Sequence, residues 1–312
     1  MTLPNLFIVG APKCATTALA HYLSAHPEIG AMPKEIHHFG SDLDYRRPGG
    51  RIGRAAYVER AKAVGVNAKV VLDASVFYLC SETAAQEIRE FNPDSRIIIM
   101  LRKPSDMIRS LHQQMIKARD EDILDLAEAL RAEPARRGGD RIPSGAIGIN
   151  GLFYRHVASY SDQVARYLEA FPHAQVKVIL YDDLRNDVRG VYDDACRFAG
   201  VEPDPDADLS PVNEAASVRS GLLVEFQRRI VYRYDLYNRA RHFLPSAVRK
   251  PLWRVWKSLL YKPGKRELAP PGLEESLTKE FAAEVSRLEG ITGRNLSNWK
   301  PLTDTGQILQ NS

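Results

Sequence analysis

A strand, a tight loop and a helix follow one another within the first 24 residues, and this run constrains the fold more than any other feature. Leu6-Phe7-Ile8-Val9 reads as a short buried strand, Gly10-Ala11-Pro12 breaks it, and Thr16 to Ser24 carries a helical pattern that stops before His26-Pro27. The alternation then recurs. Val70-Val71-Leu72 is a second strand ending in the polar pair Asp73 and Ser75, and Ala84 to Phe91 reads as a helix stopped by Asn92-Pro93. Arg96 to Leu101 is an apolar run of the kind found in a parallel strand covered on both faces. Pro104 suits the first turn of the next helix, where its missing N–H costs nothing. Tyr154 to Ala170 reads as one helix closed by Phe171-Pro172, and Val176 to Leu180 as the strand after it. Strands alternating with helices predict an α/β fold, a central parallel β-sheet flanked by helices.

A length of 312 residues suits one large domain. We read the chain as a single domain over 1–312, with an α/β core at about 1–200 and a helical, basic part at about 213–300. Residues 134–150, rich in Gly, Pro and Arg, read as a mobile surface loop, and 202–212, acidic and Pro-rich, as a linker or loop. No segment approaches the roughly 20 apolar residues of a membrane span, and the N-terminus has no signal-peptide pattern. Cys14, Cys80 and Cys196 are too scattered for a disulfide framework or a zinc site, so a cytoplasmic setting is expected. The net charge of +4 hides an asymmetry. Residues 216–266 hold thirteen Lys or Arg against two acids, interleaved with Tyr, Trp and Leu. These residues are read as helices that either cover the site or meet an anionic membrane or acidic glycan. Nothing points to nucleic acid.

Gly10-Ala11-Pro12-Lys13-Cys14-Ala15-Thr16-Thr17 joins a strand to a helix N-terminus, where successive N–H groups favour an anion. Small side chains at Ala11 and Ala15 admit phosphate oxygens, Lys13 adds charge, and Thr16 and Thr17 add hydroxyl donors. The loop is a phosphate cradle, although the triphosphate pattern GxxxxGK[ST] is absent: Ala15 and Thr16 stand where its Gly and Lys would be. Arg102 lies at the carboxyl end of the central strand, where open α/β sheets bind ligands, and Ser110 follows two helical turns later. A planar guanidinium grips phosphate oxygens in two places.

GAPKCATTAL and RIIIMLRKPxxxxxxS together resemble the two donor-binding signatures of the sulfotransferases that use 3′-phosphoadenosine-5′-phosphosulfate (PAPS). Weaker likenesses agree: LDASVFYL after the second strand, GLFY followed by FP and VILYDDL, and the closing stretch from Leu288 to Trp299. The likeness spans most of the chain and thins at about 119–150 and 216–270. It implies that Lys13, Cys14, Ala15, Thr16 and Thr17 hold the 5′-phosphosulfate and that Arg102 and Ser110 hold the 3′-phosphate. Arg219 is placed in the donor site on the same footing. Adenosine 3′,5′-bisphosphate would be the product, with no metal required. The chain departs from the family in having Cys14-Ala15 where Ser/Thr-Gly is commoner. Alanine is a harmless exchange provided position 15 needs no positive φ.

Sulfuryl transfer to an alcohol needs a base for the hydroxyl proton. Met32-Pro33-Lys34-Glu35-Ile36-His37-His38-Phe39 resembles the segment that carries the base glutamate of glycan-modifying, heparan-type sulfotransferases. That makes Glu35 the base and His37 an orienting group, with His37 as the alternative base. The acceptor is a glycan, lipid-linked or small-molecule alcohol. Two other classes stay open on sequence. One is a Mg²⁺-dependent P-loop phosphotransferase with Asp73 on the metal; the other is a non-catalytic nucleotide-binding module at a membrane surface.

Overall fold

The structure is a computed structural model that describes residues 2–46, 50–212, 216–218, 261–263 and 272–301. The apolar runs seen in the sequence form the sheet. β1 (Leu6–Gly10), β2 (Ile29–Ala31), β3 (Val70–Ala74), β4 (Arg96–Leu101) and β5 (Val176–Leu180) lie in the order β2-β3-β1-β4-β5, every pair parallel. β1 is wholly buried because strands flank it on both edges and helices cover both faces. α1 (Thr16–Ser24), α2 (Arg54–Val64), α3 (Ala84–Phe91), α4 (Pro104–Ala118), α5 (Leu126–Arg137), α6 (Tyr154–Ala158), α7 (Tyr160–Ala170), α8 (Tyr181–Asn186) and α9 (Val188–Ala199) complete the α/β part. The chain leaves β1 towards β2 on one side and leaves β4 towards β5 on the other. The carboxyl ends of β1 and β4 therefore border a topological switch point, the place where such sheets open a crevice.

Three expectations need correction. Tyr154 to Ala170 is two helices, broken at Ser159. Polar side chains compete for the backbone there: Ser159 donates to the Arg155 carbonyl at 2.8 Å, Gln163 to the His156 carbonyl at 2.6 Å, and Glu284 takes the Ser161 N–H at 2.6 Å. Residues 134–150 are not a free loop, since 134–137 finish α5 and Arg136 is fully buried. Arg136 pairs with Glu121 at 2.7 and 2.8 Å, Tyr154 donates to the same carboxylate at 2.8 Å, and the Ile147 N–H bonds Asp120 at 2.7 Å. Composition marks such a segment as solvated, but its counter-charge lies fifteen residues upstream. Pro134 is tolerated inside α5 because the Leu130 carbonyl, which a proline at that position cannot engage, accepts from Arg155 at 2.8 Å.

The third correction concerns the C-terminal part. Ala216–Val218 and Tyr261–Pro263 are strands, β6 and β7, paired antiparallel, where helix was expected. Their pairing joins segments more than forty residues apart, which local periodicity does not register. The rest of the basic 216–266 stretch, and Arg219 with it, lies outside the described residues. α10 (Leu273–Glu280) and α11 (Ala282–Thr292) are helical as expected. Glu274 of α10 reaches Lys103 at 3.6 Å and Arg109 at 3.7 Å, seating this helix on α4. No helix among the described residues is long and apolar enough to cross a membrane.

Candidate functional site

β1 ends at Gly10, where a Cβ would lie 2.5 Å from the Leu79 Cβ and 2.6 Å from the Val76 carbonyl. Only glycine lets the loop after β1 pack this closely against the segment after β3. Lys13 and Ala15 then take left-handed backbone, φ 64° and 65°, on either side of Cys14. Such local reversals turn successive N–H groups into a concavity that suits an anion. Ala15 is also the N-cap of α1 and has no side-chain acceptor for the first-turn N–H groups. The helix thus begins uncapped, pointing its donors at the crevice.

Position 15 does need a positive φ, so the exchange of glycine for alanine is not harmless. A left-handed alanine costs about 1 kcal/mol relative to glycine. Ala15→Gly is therefore expected to raise the melting temperature by about 2 °C. A scanning-calorimetry midpoint at or below that of the parent would contradict the strain.

The side chains of the loop divide into two sets. Cys14 is fully buried, with its thiol on the Pro12 carbonyl at 3.4 Å, and burial pushes its pKa up to about 12. The buried sulfur is not available to an anion, so only the backbone N–H could serve one. Thr16 is buried, Thr17 is exposed, and Lys13 is half-buried at the mouth. Burial first, and then the charges of Lys117, Arg102 and Lys34, hold the Lys13 ammonium below its ordinary pKa. Four cations therefore gather around one loop. Two of the four are themselves paired with acids: Asp106 bonds Arg102 at 3.3 Å and Arg109 at 2.5 Å, and Glu35 bonds Lys34 at 2.8 Å. Like charges crowded in a half-buried space favour an incoming anion.

Arg102 leaves β4 as expected and is buried. Its guanidinium lies over the Tyr181 ring at 4.5 Å, while its buried Nε has no hydrogen-bond partner among the described residues. An unpaired buried donor on a cation is costly, and a phosphate oxygen would satisfy it. Ser110 is half-buried two turns into α4. Asp106, Gln113 and Lys117 share its face and its half-burial at helical spacing. Lys117 was missed by the motif reading although it lies seven residues beyond Ser110, on the same stripe. The signal was periodicity rather than a signature.

Glu35 and His37 lie in the loop after β2, and both adopt positive φ, 57° and 54°. The Glu35 N–H donates to the Ala74 carbonyl at 3.0 Å, and its Oε2 accepts from the Val76 N–H at 3.2 Å. The Glu35 side chain is 31% exposed, whereas that of His37 is 6% exposed, packed on Tyr45 with ring centroids 4.2 Å apart. His37 Nε2 lies 4.0 Å from Glu35 Oε2. Asp73 is fully buried and accepts from Ser75 at 2.8 Å, Tyr57 at 2.9 Å and Tyr78 at 3.4 Å. Burial pushes its pKa up to about 6. Its oxygens serve these three hydroxyls.

Residues 3–218 match the sulfotransferase domain family. The solved structure of a sulfotransferase from Alicyclobacillus acidocaldarius is 30% identical, covers 96% of this chain and 99% of its own, and superimposes with a TM-score of 0.69. Human bifunctional heparan sulfate N-deacetylase/N-sulfotransferase 3 is 28% identical over 206 residues, 64% of this chain and 23% of that protein. Human heparan sulfate glucosamine 3-O-sulfotransferase 6 is 29% identical over 101 residues, 32% of this chain and 27% of that protein. The chain thus spans about a quarter of the length of these curated relatives.

Proposed function

Because the chain belongs to the sulfotransferase domain family, we propose that it moves a sulfuryl group from PAPS to an acceptor hydroxyl, releasing adenosine 3′,5′-bisphosphate. The observation that carries this reading is the gathering of Lys13, Arg102, Lys34 and Lys117 around an uncapped helix N-terminus at the switch point. Donor binding fits the residues present: the loop N–H groups and Lys13 would hold a 5′-phosphosulfate, and Arg102 with Ser110 a 3′-phosphate. The bound donor supplies an electrophilic sulfur whose bond to the bridging oxygen breaks as the acceptor oxygen attaches. Glu35 is the base, supported by its exposure and by the burial of His37, and it takes the acceptor proton. His37 is the second polar group beside it, with its Nε2 4.0 Å from Glu35 Oε2. Lys13 meets the charge that grows on the bridging oxygen.

The named relatives modify heparan sulfate, so glycosaminoglycan chains are the first acceptors to offer, followed by lipid-linked and small alcohols. The basic stretch 216–266 suits an acidic acceptor or an anionic membrane on its charge alone. A cytoplasmic setting is kept on the three scattered cysteines, each free and buried. Incubation with PAPS labelled in its sulfuryl group, across that acceptor panel and host extracts, tests the activity. Label that stays on the nucleotide with every acceptor would refute the reading.

The donor assignment has its own test. The protein is expected to bind adenosine 3′,5′-bisphosphate more tightly than adenosine 5′-phosphate by calorimetry, and Arg102→Ala to lose most of that preference. Ser110→Ala should lose less, because a neutral hydrogen bond contributes less than a charged one. Equal affinity of the parent protein for the two nucleotides would refute the 3′-phosphate site.

A further inference from the structure

The loop that carries Glu35 is strained at two residues, and the structure traces what restrains it. Non-glycine residues at positive φ persist only where their surroundings fix them. On the far side of the loop the Tyr78 hydroxyl accepts from the His38 N–H at 2.9 Å and the Phe39 N–H at 3.3 Å. A phenol has two acceptor sites and one proton. With both acceptor sites filled, its proton is directed to Asp73, 3.4 Å away. Asp73 also takes the hydroxyls of Tyr57 and Ser75, and the Tyr57 ring stacks on His38 with centroids 4.2 Å apart. On the near side, Ala74 and Val76 hold the backbone and carboxylate of Glu35, and they flank Ser75, itself bonded to Asp73. Both edges of the base loop are therefore tied to one buried carboxylate.

We propose that Asp73 and Tyr78 are positioning residues for the transfer reaction, a buried hub that holds the strained loop so that the Glu35 carboxylate meets the acceptor proton. This rests on Glu35 as the base. Asp73 has no exposed surface and touches neither substrate; it acts through the loop. An ionised carboxylate suits the place because all three of its neighbours donate to it, whereas an amide would turn a donor towards one of them.

The test is a double-mutant cycle on the full chain, with labelled PAPS and the best acceptor from the panel. Tyr78→Phe keeps the ring and deletes the hydroxyl. It is expected to lower kcat by about 10-fold to 10²-fold, the scale for misplacing a reacting group by about 1 Å. The KM for PAPS should stay unchanged, and the amides of His38 and Phe39 should exchange faster with solvent. In a Glu35→Gln background, Tyr78→Phe should cause little further loss, because a hub acting through Glu35 has nothing left to position. Losses that multiply, or parental kcat in folded Tyr78→Phe, would overturn the proposal while leaving Glu35 as the base. A Glu35→Gln enzyme with parental kcat would instead remove the base assignment and this proposal with it. Should Tyr78→Phe fail to fold, Ser75→Ala removes a smaller part of the same hub, and an unchanged kcat there would count against it.

Discussion

Glu35→Gln is expected to bind PAPS as the parent protein does and to turn over about 10² to 10⁴ times more slowly. The amide keeps the shape of the carboxylate and can still accept from the Val76 N–H, so the loop should retain its course. What disappears is the group that takes the acceptor proton. The bond to Lys34 weakens as well, because that ammonium loses its charged partner at 2.8 Å. Single-turnover rates with calorimetric donor affinity separate the two effects. Parental turnover in this variant, with activity lost in His37→Ala, would hand the proton to the histidine 4.0 Å away.

Lys13→Ala should cost about 10²-fold or more in kcat, with a smaller loss of donor affinity. The asymmetry follows from when the charge is needed. Several N–H groups and Arg102 already attract the ground-state nucleotide. The bridging oxygen gains negative charge only as its bond to sulfur breaks, and interactions that strengthen only then appear in kcat. The depressed pKa of Lys13 sharpens the expectation, since an anion in the crevice offsets the repulsion from Lys117 and Arg102 and favours the charged amine. A Lys13→Ala enzyme with parental kcat would remove the residue from the chemistry.

The strands, turns and helices that frame the candidate donor site were legible in the sequence because they are local. Gly10 to Thr17 and Arg96 to Ser110 are each one strand, one turn and one helix, and the sheet brings their ends together by topology. The helix bounds at Thr16–Ser24 and Ala84–Phe91 followed from proline and asparagine punctuation in the same way. Most of the failures share one cause, a partner distant in sequence. Arg136 reads as a solvated charge until Glu121 is placed beside it. The break at Ser159 depends partly on Glu284, more than a hundred residues away. Asp73 reads as a strand-end acid until Tyr57, sixteen residues earlier, folds onto it. The need for a left-handed residue at position 15 was the condition on which the alanine exchange turned, and backbone dihedrals leave no trace in periodicity.

The buried pairing of Arg136 with Glu121 has a consequence for how this chain can change over generations. Removing either partner alone strands a charge in the interior, which costs about 3 to 5 kcal/mol, while exchanging both for apolar residues can cost nothing. Loss of the pair must therefore cross a valley of poorly folded intermediates, and single substitutions are driven back. The pair works as a ratchet. Around it, the exposed positions 137–141 and 144–145 are freer to change than the buried Leu126, Ala129, Leu130, Ala132 and Ile149, so variation in the region where family likeness is thinnest is confined to its surface while its anchorage to α5 and Tyr154 stays in place.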